Sequence, residues 1–313
     1  MRCLFCIAFF IQLPLFLVGQ SLNVSKKLIL SAPLAKESLE RSIFIKNSSS
    51  SEASINQLLI RGRHATDFHL NTVVTFPLSI PADDSVELSF TFKPKENVGI
   101  HTSTLQINSA AFDDGHALVQ LVGLANKGME GENEPSLHTI LETLGYAIDI
   151  GGTSLKLGTE DSLLGDEVQL KQFVSASSEK VQIIPVARFS PEGQVPFGYY
   201  QEKDSQLMYN KVGTLSEEYL QHQSLFPRLT SGKTSFAPDK GSFGIFISTD
   251  SHATYTDYTL NTEVEHACRV YPLKDSDGNT IENHYLICFE EATNGDYQDF
   301  VFVISNVSPY LAP

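Results

Sequence analysis

The chain has 313 residues, room for roughly two domains on the usual length scale. Its 42% hydrophobic and 19% charged content excludes a disordered chain. A formal net charge of -15 argues against nucleic acid as a partner and favours attraction of divalent cations; the absence of tryptophan weakens an aromatic sugar-binding platform, although Tyr can substitute.

Residues 1–19 read as a secretory signal peptide. Arg2 supplies the positive end, residues 4–18 are nearly continuous apolar sequence, and small Gly19 precedes a polar stretch. An uncleaved anchor is the alternative, but the run is short of a full span and carries Pro14. No second run of this kind follows, so no transmembrane segment is expected in the mature, secreted or surface-associated chain.

The next region, residues 21–126, reads as strands separated by turns. Ser42 to Ile45, Leu58 to Ile60, Ser103 to Asn108 and Ala117 to Leu121 are candidates. Val86 to Phe92 alternates apolar and polar residues throughout, as a half-buried strand does. This spacing predicts an antiparallel sandwich. Ile45-Lys46-Asn47-Ser48, Leu88-Ser89-Phe90-Thr91-Phe92-Lys93-Pro94 and Val119-Gln120-Leu121-Val122-Gly123, in this order, resemble the immunoglobulin-like repeats of the abnormal-spindle and choice-of-anchor type. The resemblance implies a seven-strand sandwich that serves as spacer or binding surface.

Residues 127–146 read as a linker with one short helix. Pro135 stands at the helix start and Gly145 at its end, and Leu137, Ile140, Leu141 and Leu144 share one face. Residues 147–313 are β-rich again. Strands are expected near 181–187, 197–200, 244–247, 269–271, 285–289 and 300–304, forming a second, larger, jelly-roll-like sandwich. The fold class is therefore all-β, with two antiparallel β-sandwich domains. A turn at Asp277-Gly278 would bring Cys268 near Cys288, as a disulfide or as two buried thiols.

The strongest chemical signal is Phe289-Glu290-Glu291-Ala292-Thr293-Asn294-Gly295-Asp296-Tyr297-Gln298-Asp299-Phe300. Four carboxylates, Glu290, Glu291, Asp296 and Asp299, crowd one turn and repel each other. A hard cation bound through oxygen would offset that repulsion, and calcium takes six to eight such ligands. Asp257 and Asn261 are added from upstream. Adjacent strand residues face opposite sides, so Glu290 and Glu291 can both turn inward only if the strand has ended. The alternative is solvated charge at a sheet edge.

Residues 181–307 resemble domain of unknown function 4114, widespread in bacterial secreted and surface proteins. Its acidic pair, Gly turn and Asp-aromatic-Gln-Asp segment match Glu290-Glu291, Gly295 and Asp296-Tyr297-Gln298-Asp299, and Leu260-Asn261 with His266 match an upstream segment. Glu291 stands where Asp is commoner, and Tyr258 where another acid is expected. The resemblance implies calcium binding and adhesion-related roles, without catalysis.

The sequence therefore predicts a non-enzymatic extracellular protein with a calcium-stabilised second sandwich and a glycan or protein ligand. The alternative is a polysaccharide-acting hydrolase using the same carboxylates. Tyr146 to Lys156, with Asp149, Gly151 and Gly152, resembles the first phosphate motif of actin-like sugar kinases, but no second phosphate motif follows, and a strand ending in a Gly turn is the simpler reading.

Overall fold

The computed structural model describes residues 22–128, 133–159 and 162–310. The expected signal peptide, residues 1–19, lies outside them. The chain divides into two compact units, the first ending at Asn126 and the second beginning at Lys127.

The first unit contains β1 (Leu22–Val24), β2 (Lys27–Pro33), β3 (Arg41–Asn47), β4 (Ala53–Ile55), β5 (Gln57–Arg61), β6 (Phe68–Leu70), β7 (Leu78–Ile80), β8 (Ser85–Phe92), β9 (Gly99–Asn108) and β10 (His116–Asn126). Its sheets run β1-β3-β8-β6 and β2-β10-β9-β5, beside a β4-β7 ribbon. The alternation in β8 buries Leu88, Phe90 and Phe92 among Ile43, Ile45, Leu105 and Leu121. Gly123 lets Phe92 close this core, because a Cβ there would come within 2.4 Å of the Phe92 ring. Fully buried Asn47 ties the end of β3 to other chain segments: its Nδ2 donates to the carbonyls of Ser51, Ile80 and Pro81.

One pairing departs from the antiparallel expectation. β2 and β10 are parallel, with Lys27 opposite Gln120 and Pro33 opposite Asn126. The more than eighty residues between them supply the return path that a parallel pair requires.

The second unit contains α1 (Leu137–Leu144), β11 (Phe173–Ser175), β12 (Val181–Phe189), β13 (Val195–Lys203), β14 (Gln206–Leu215), β15 (Gln223–Leu225), β16 (Leu229–Gly232), β17 (Ser235–Phe236), β18 (Gly244–Ser248), β19 (Ala253–Tyr255), β20 (Cys268–Lys274), β21 (Thr280–Phe289), β22 (Phe300–Ser305) and β23 (Val307–Pro309). One sheet runs β15-β12-β22-β21-β20, with β17 also on β12. The other runs β16-β14-β13-β18-β19, and β11 pairs with β23. Phe197, Ile245 and Ile247 of the second sheet pack with Ile183, Ile287, Phe289, Phe302 and Ile304 of the first. The Phe197 and Phe302 ring centroids lie 5.0 Å apart.

The helix forms as its pattern predicts. Ser136 caps it, Oγ accepting from the Thr139 amide at 3.2 Å, and Gly145 ends it at φ 85°. Pro135 precedes the cap rather than opening the first turn. Residues 146–156 form neither strand nor helix, which removes the strand that a phosphate motif would need. The predicted hairpin is present, β20 and β21 meeting around Asp275 to Asn279. Its register sets Cys268 opposite Phe289 and Cys288 opposite Arg269, so the two cysteines point to opposite faces and are free thiols.

Candidate metal centre

β21 ends at Phe289, and the chain leaves the sheet at Glu290. This releases Glu290 from strand alternation and lets its side chain turn into the loop over residues 290–299. Gly295, at φ 76°, turns the loop where a Cβ would stand 3.0 Å from the Gly158 backbone. Its carbonyl accepts the Leu157 amide at 2.7 Å. Tyr297 follows at φ 55°, a left-handed conformation uncommon for a bulky residue. Its ring lies under Arg269, at 4.6 Å, and its hydroxyl donates to the His266 carbonyl at 2.7 Å. These contacts hold the strained residue in place.

The two turns aim successive backbone amides at one oxygen. Glu290 Oε2 accepts from the Asp296 amide at 2.9 Å and from the Tyr297 amide at 3.2 Å. Asp299 Oδ2 accepts from the Glu291 amide at 2.6 Å. One carboxylate oxygen from each of Glu290, Asp296 and Asp299 lies within 4.8 Å of the others. Glu290 and Asp296 are fully buried and Asp299 is 6% exposed.

The charges are poorly compensated. Ion pairs among the described residues involve none of the three acids. Desolvation raises all three carboxyl pKa values. Asp296 is pushed up to about 7 by burial and by the charges of Glu290 and Glu134, and Asp299 is raised well above the usual carboxylate range by burial and by the charges of Glu290 and Asp296. Glu290 Oε1 and Asp296 Oδ1 are buried without a hydrogen-bond partner. Buried carboxylate oxygens in this condition hold protons or a cation. An all-oxygen donor set of this density fits a hard cation.

The sequence-derived ligand set divides. Glu290, Asp296 and Asp299 converge. Glu291 is half-buried and supplies its backbone amide to the loop. Asp257 and Asn261 are both held in local turns. Asp257 Oδ1 accepts from the Thr259 amide and hydroxyl, 3.6 Å from Lys171 Nζ. Asn261 Oδ1 accepts from the Tyr255 amide, while its Nδ2 donates to the Tyr255 and Glu265 carbonyls. His266 bonds to Glu167 at 2.8 Å, and Glu167 also holds the fully buried Arg269.

Sequence reasoning missed Gln298 and Glu134. Gln298 is fully buried; its Nε2 donates to Glu134 Oε2 at 2.9 Å and to Asp296 Oδ2 at 3.3 Å, while its Oε1 has no partner. Glu134 Oε1 accepts from Gln223 Nε2 at 3.1 Å. Gln298 lies inside the acidic motif and was readable there as a neutral oxygen donor. Glu134, more than 150 residues upstream of the motif, carries no local signal.

No family model matches the chain, and no curated protein matches it. Among solved structures, a Porphyromonas gingivalis protein of unknown function aligns at 12% identity and TM-score 0.27, over 33% of this chain and 46% of its own. The secreted serine protease VesC from Vibrio cholerae aligns at 11% identity and TM-score 0.30, over 93% of this chain and 51% of its own. The chain thus spans about half the length of these two. The PapD-like domain of human CEP192 aligns at 14% identity and TM-score 0.25, over 36% of this chain and 89% of its own. Likeness at this level assigns no function. No helix among the described residues is long and apolar enough to cross a membrane.

Proposed function

We propose that the chain is a secreted or cell-surface, non-enzymatic binding protein whose second sandwich is completed by calcium. The observation that carries this reading is the pair of buried, unpartnered oxygens, Glu290 Oε1 and Asp296 Oδ1, beside Asp299. Glu290, Asp296 and Asp299 would hold the ion. A bound calcium would supply positive charge where no ion pair among the described residues does. These residues would fix the end of β21 against the start of β22, so ion binding adds to folding free energy. The likeness of the motif to domain of unknown function 4114 points the same way.

The first unit then serves as a spacer or an additional binding surface, and the ligand class is an extracellular glycan or protein. The hydrolase reading draws no support from this cluster. Glycosidic catalysis needs carboxyl groups that a sugar can reach, and these are between 0% and 6% exposed. Thermal unfolding with calcium, magnesium or a chelator tests the proposal. A calcium-specific rise in melting temperature that is absent from the D296N/D299N double variant is expected. An equal rise in that variant would move the site elsewhere, and no rise in the wild type would remove it.

A further inference from the structure

We infer that Glu134 is a positioning residue for the cation site: it orients the Gln298 amide so that Oε1 serves as a neutral ligand, and ion occupancy thereby fastens the segment that enters the second unit. The inference rests on the cation-site reading and extends it to residues outside the carboxylate trio.

Gln298 presents one oxygen and one nitrogen at nearly equal reach, and only its surroundings decide which faces where. Nε2 lies between Glu134 Oε2, at 2.9 Å, and Asp296 Oδ2, at 3.3 Å. With a cation bound the carboxylates are ionised, accept hydrogen bonds and donate none, so the nitrogen occupies this end. Oε1 is then forced to the other end of a fully buried amide, where it has no partner. A buried amide oxygen left this way is penalised, and an oxygen-seeking cation removes the penalty.

Glu134 is itself held. Gln223 Nε2 donates to its other oxygen at 3.1 Å, and Gln223 sits on β15 of the sheet that contains β22. The route from the acidic loop to residue 134 therefore runs Asp296, Gln298, Glu134, with the sheet as support. Two residues later Ser136 caps the helix. An ion that draws Gln298 Oε1 would tighten the Nε2 bond to Glu134 and hold the entry segment against the sheet.

The test uses the full chain, with europium(III) standing in for calcium, and E134Q, in which an amide replaces the carboxylate and no longer dictates which end of Gln298 faces it. Calcium affinity by calorimetry should fall about 10- to 100-fold in E134Q. The luminescence lifetime of bound europium, compared in light and heavy water, should report about one more metal-bound water in E134Q and in Q298A. Hydrogen exchange at the amides of residues 133, 134 and 136 in the wild type should slow on calcium addition. Wild-type affinity and hydration in E134Q, or exchange there that ignores calcium, would overturn this inference and leave the carboxylate trio standing. Failure of the wild type to bind either ion would overturn the cation site itself.

Discussion

Glu290 Oε2 accepts the Asp296 amide at 2.9 Å, so the acid that ends one strand fixes the backbone of the acid facing it six residues later. Each half of the cluster is placed by the other. Exchanging Glu290 for Gln keeps the shape and an oxygen for the two amides but removes one of the three charges. The expected result is loss of the calcium-linked rise in melting temperature.

Without a divalent ion the second unit should be more stable in mild acid than in base. The Asp296 carboxyl titrates near 7 in the folded chain, against 3.8 as its ordinary value, and Glu290 and Asp299 are also raised. Between these values the folded state binds more protons than the unfolded state, so stability falls as pH rises from about 4 to about 7. The ceiling from Asp296 alone is ~4 kcal/mol, and shared protons among the three acids reduce it. Calcium should reverse the slope, because it competes with those protons. Denaturation at pH 5 and pH 8, each with chelator and with calcium, checks both signs.

Gly295→Ala should destabilise the loop by about 1–2 kcal/mol, since φ 76° suits glycine and the added Cβ meets the Gly158 backbone at 3.0 Å. Calcium affinity should fall with it, because the Asp296 and Tyr297 amides would leave Glu290. Gly278→Ala is the control. It also has positive φ, at the β20–β21 turn, but nothing lies near its Cβ. It should cost stability without changing the response to calcium.

Glu167→Gln should cost about 3–5 kcal/mol, because it leaves the fully buried Arg269 without its counter-charge. Arg269 Nη2 also donates to the Gly158 carbonyl at 3.1 Å, and its guanidinium lies over Tyr297. A reduced melting temperature and weaker protection of the Tyr297 amide from hydrogen exchange would accompany the loss.

The legible parts of the sequence were those with local pattern. The alternation at Val86 to Phe92 predicted β8, and the leucine spacing at Leu137 to Leu144 predicted the helix. Asp277-Gly278 predicted the β20–β21 turn. Three of the six proposed ligands met because they sit on one loop, where chain distance limits spatial distance. Asp257 and Asn261 did not, because short polar side chains satisfy nearby backbone first, and nothing in the sequence separates a turn-forming Asp from a ligating one. Glu134 was invisible for the opposite reason: its partners come from distant strands. Asn47 opens an Asn-Ser-Ser sequence of the kind that can accept a glycan, yet its Nδ2 is consumed by three carbonyls in the first unit. Asn47→Ala should therefore cost that unit about 1–3 kcal/mol.

The parallel pairing of β2 and β10 also bears on how the first unit carries mechanical load. The chain enters β2 at Lys27 and leaves β10 at Asn126, and seven residue pairs join the strands between these points. Tension applied through the two ends acts along the strands in opposite senses. The hydrogen bonds of the pair must then fail together in shear instead of opening one after another like a zip. A module of this topology resists extension better than a hairpin whose ends lie side by side.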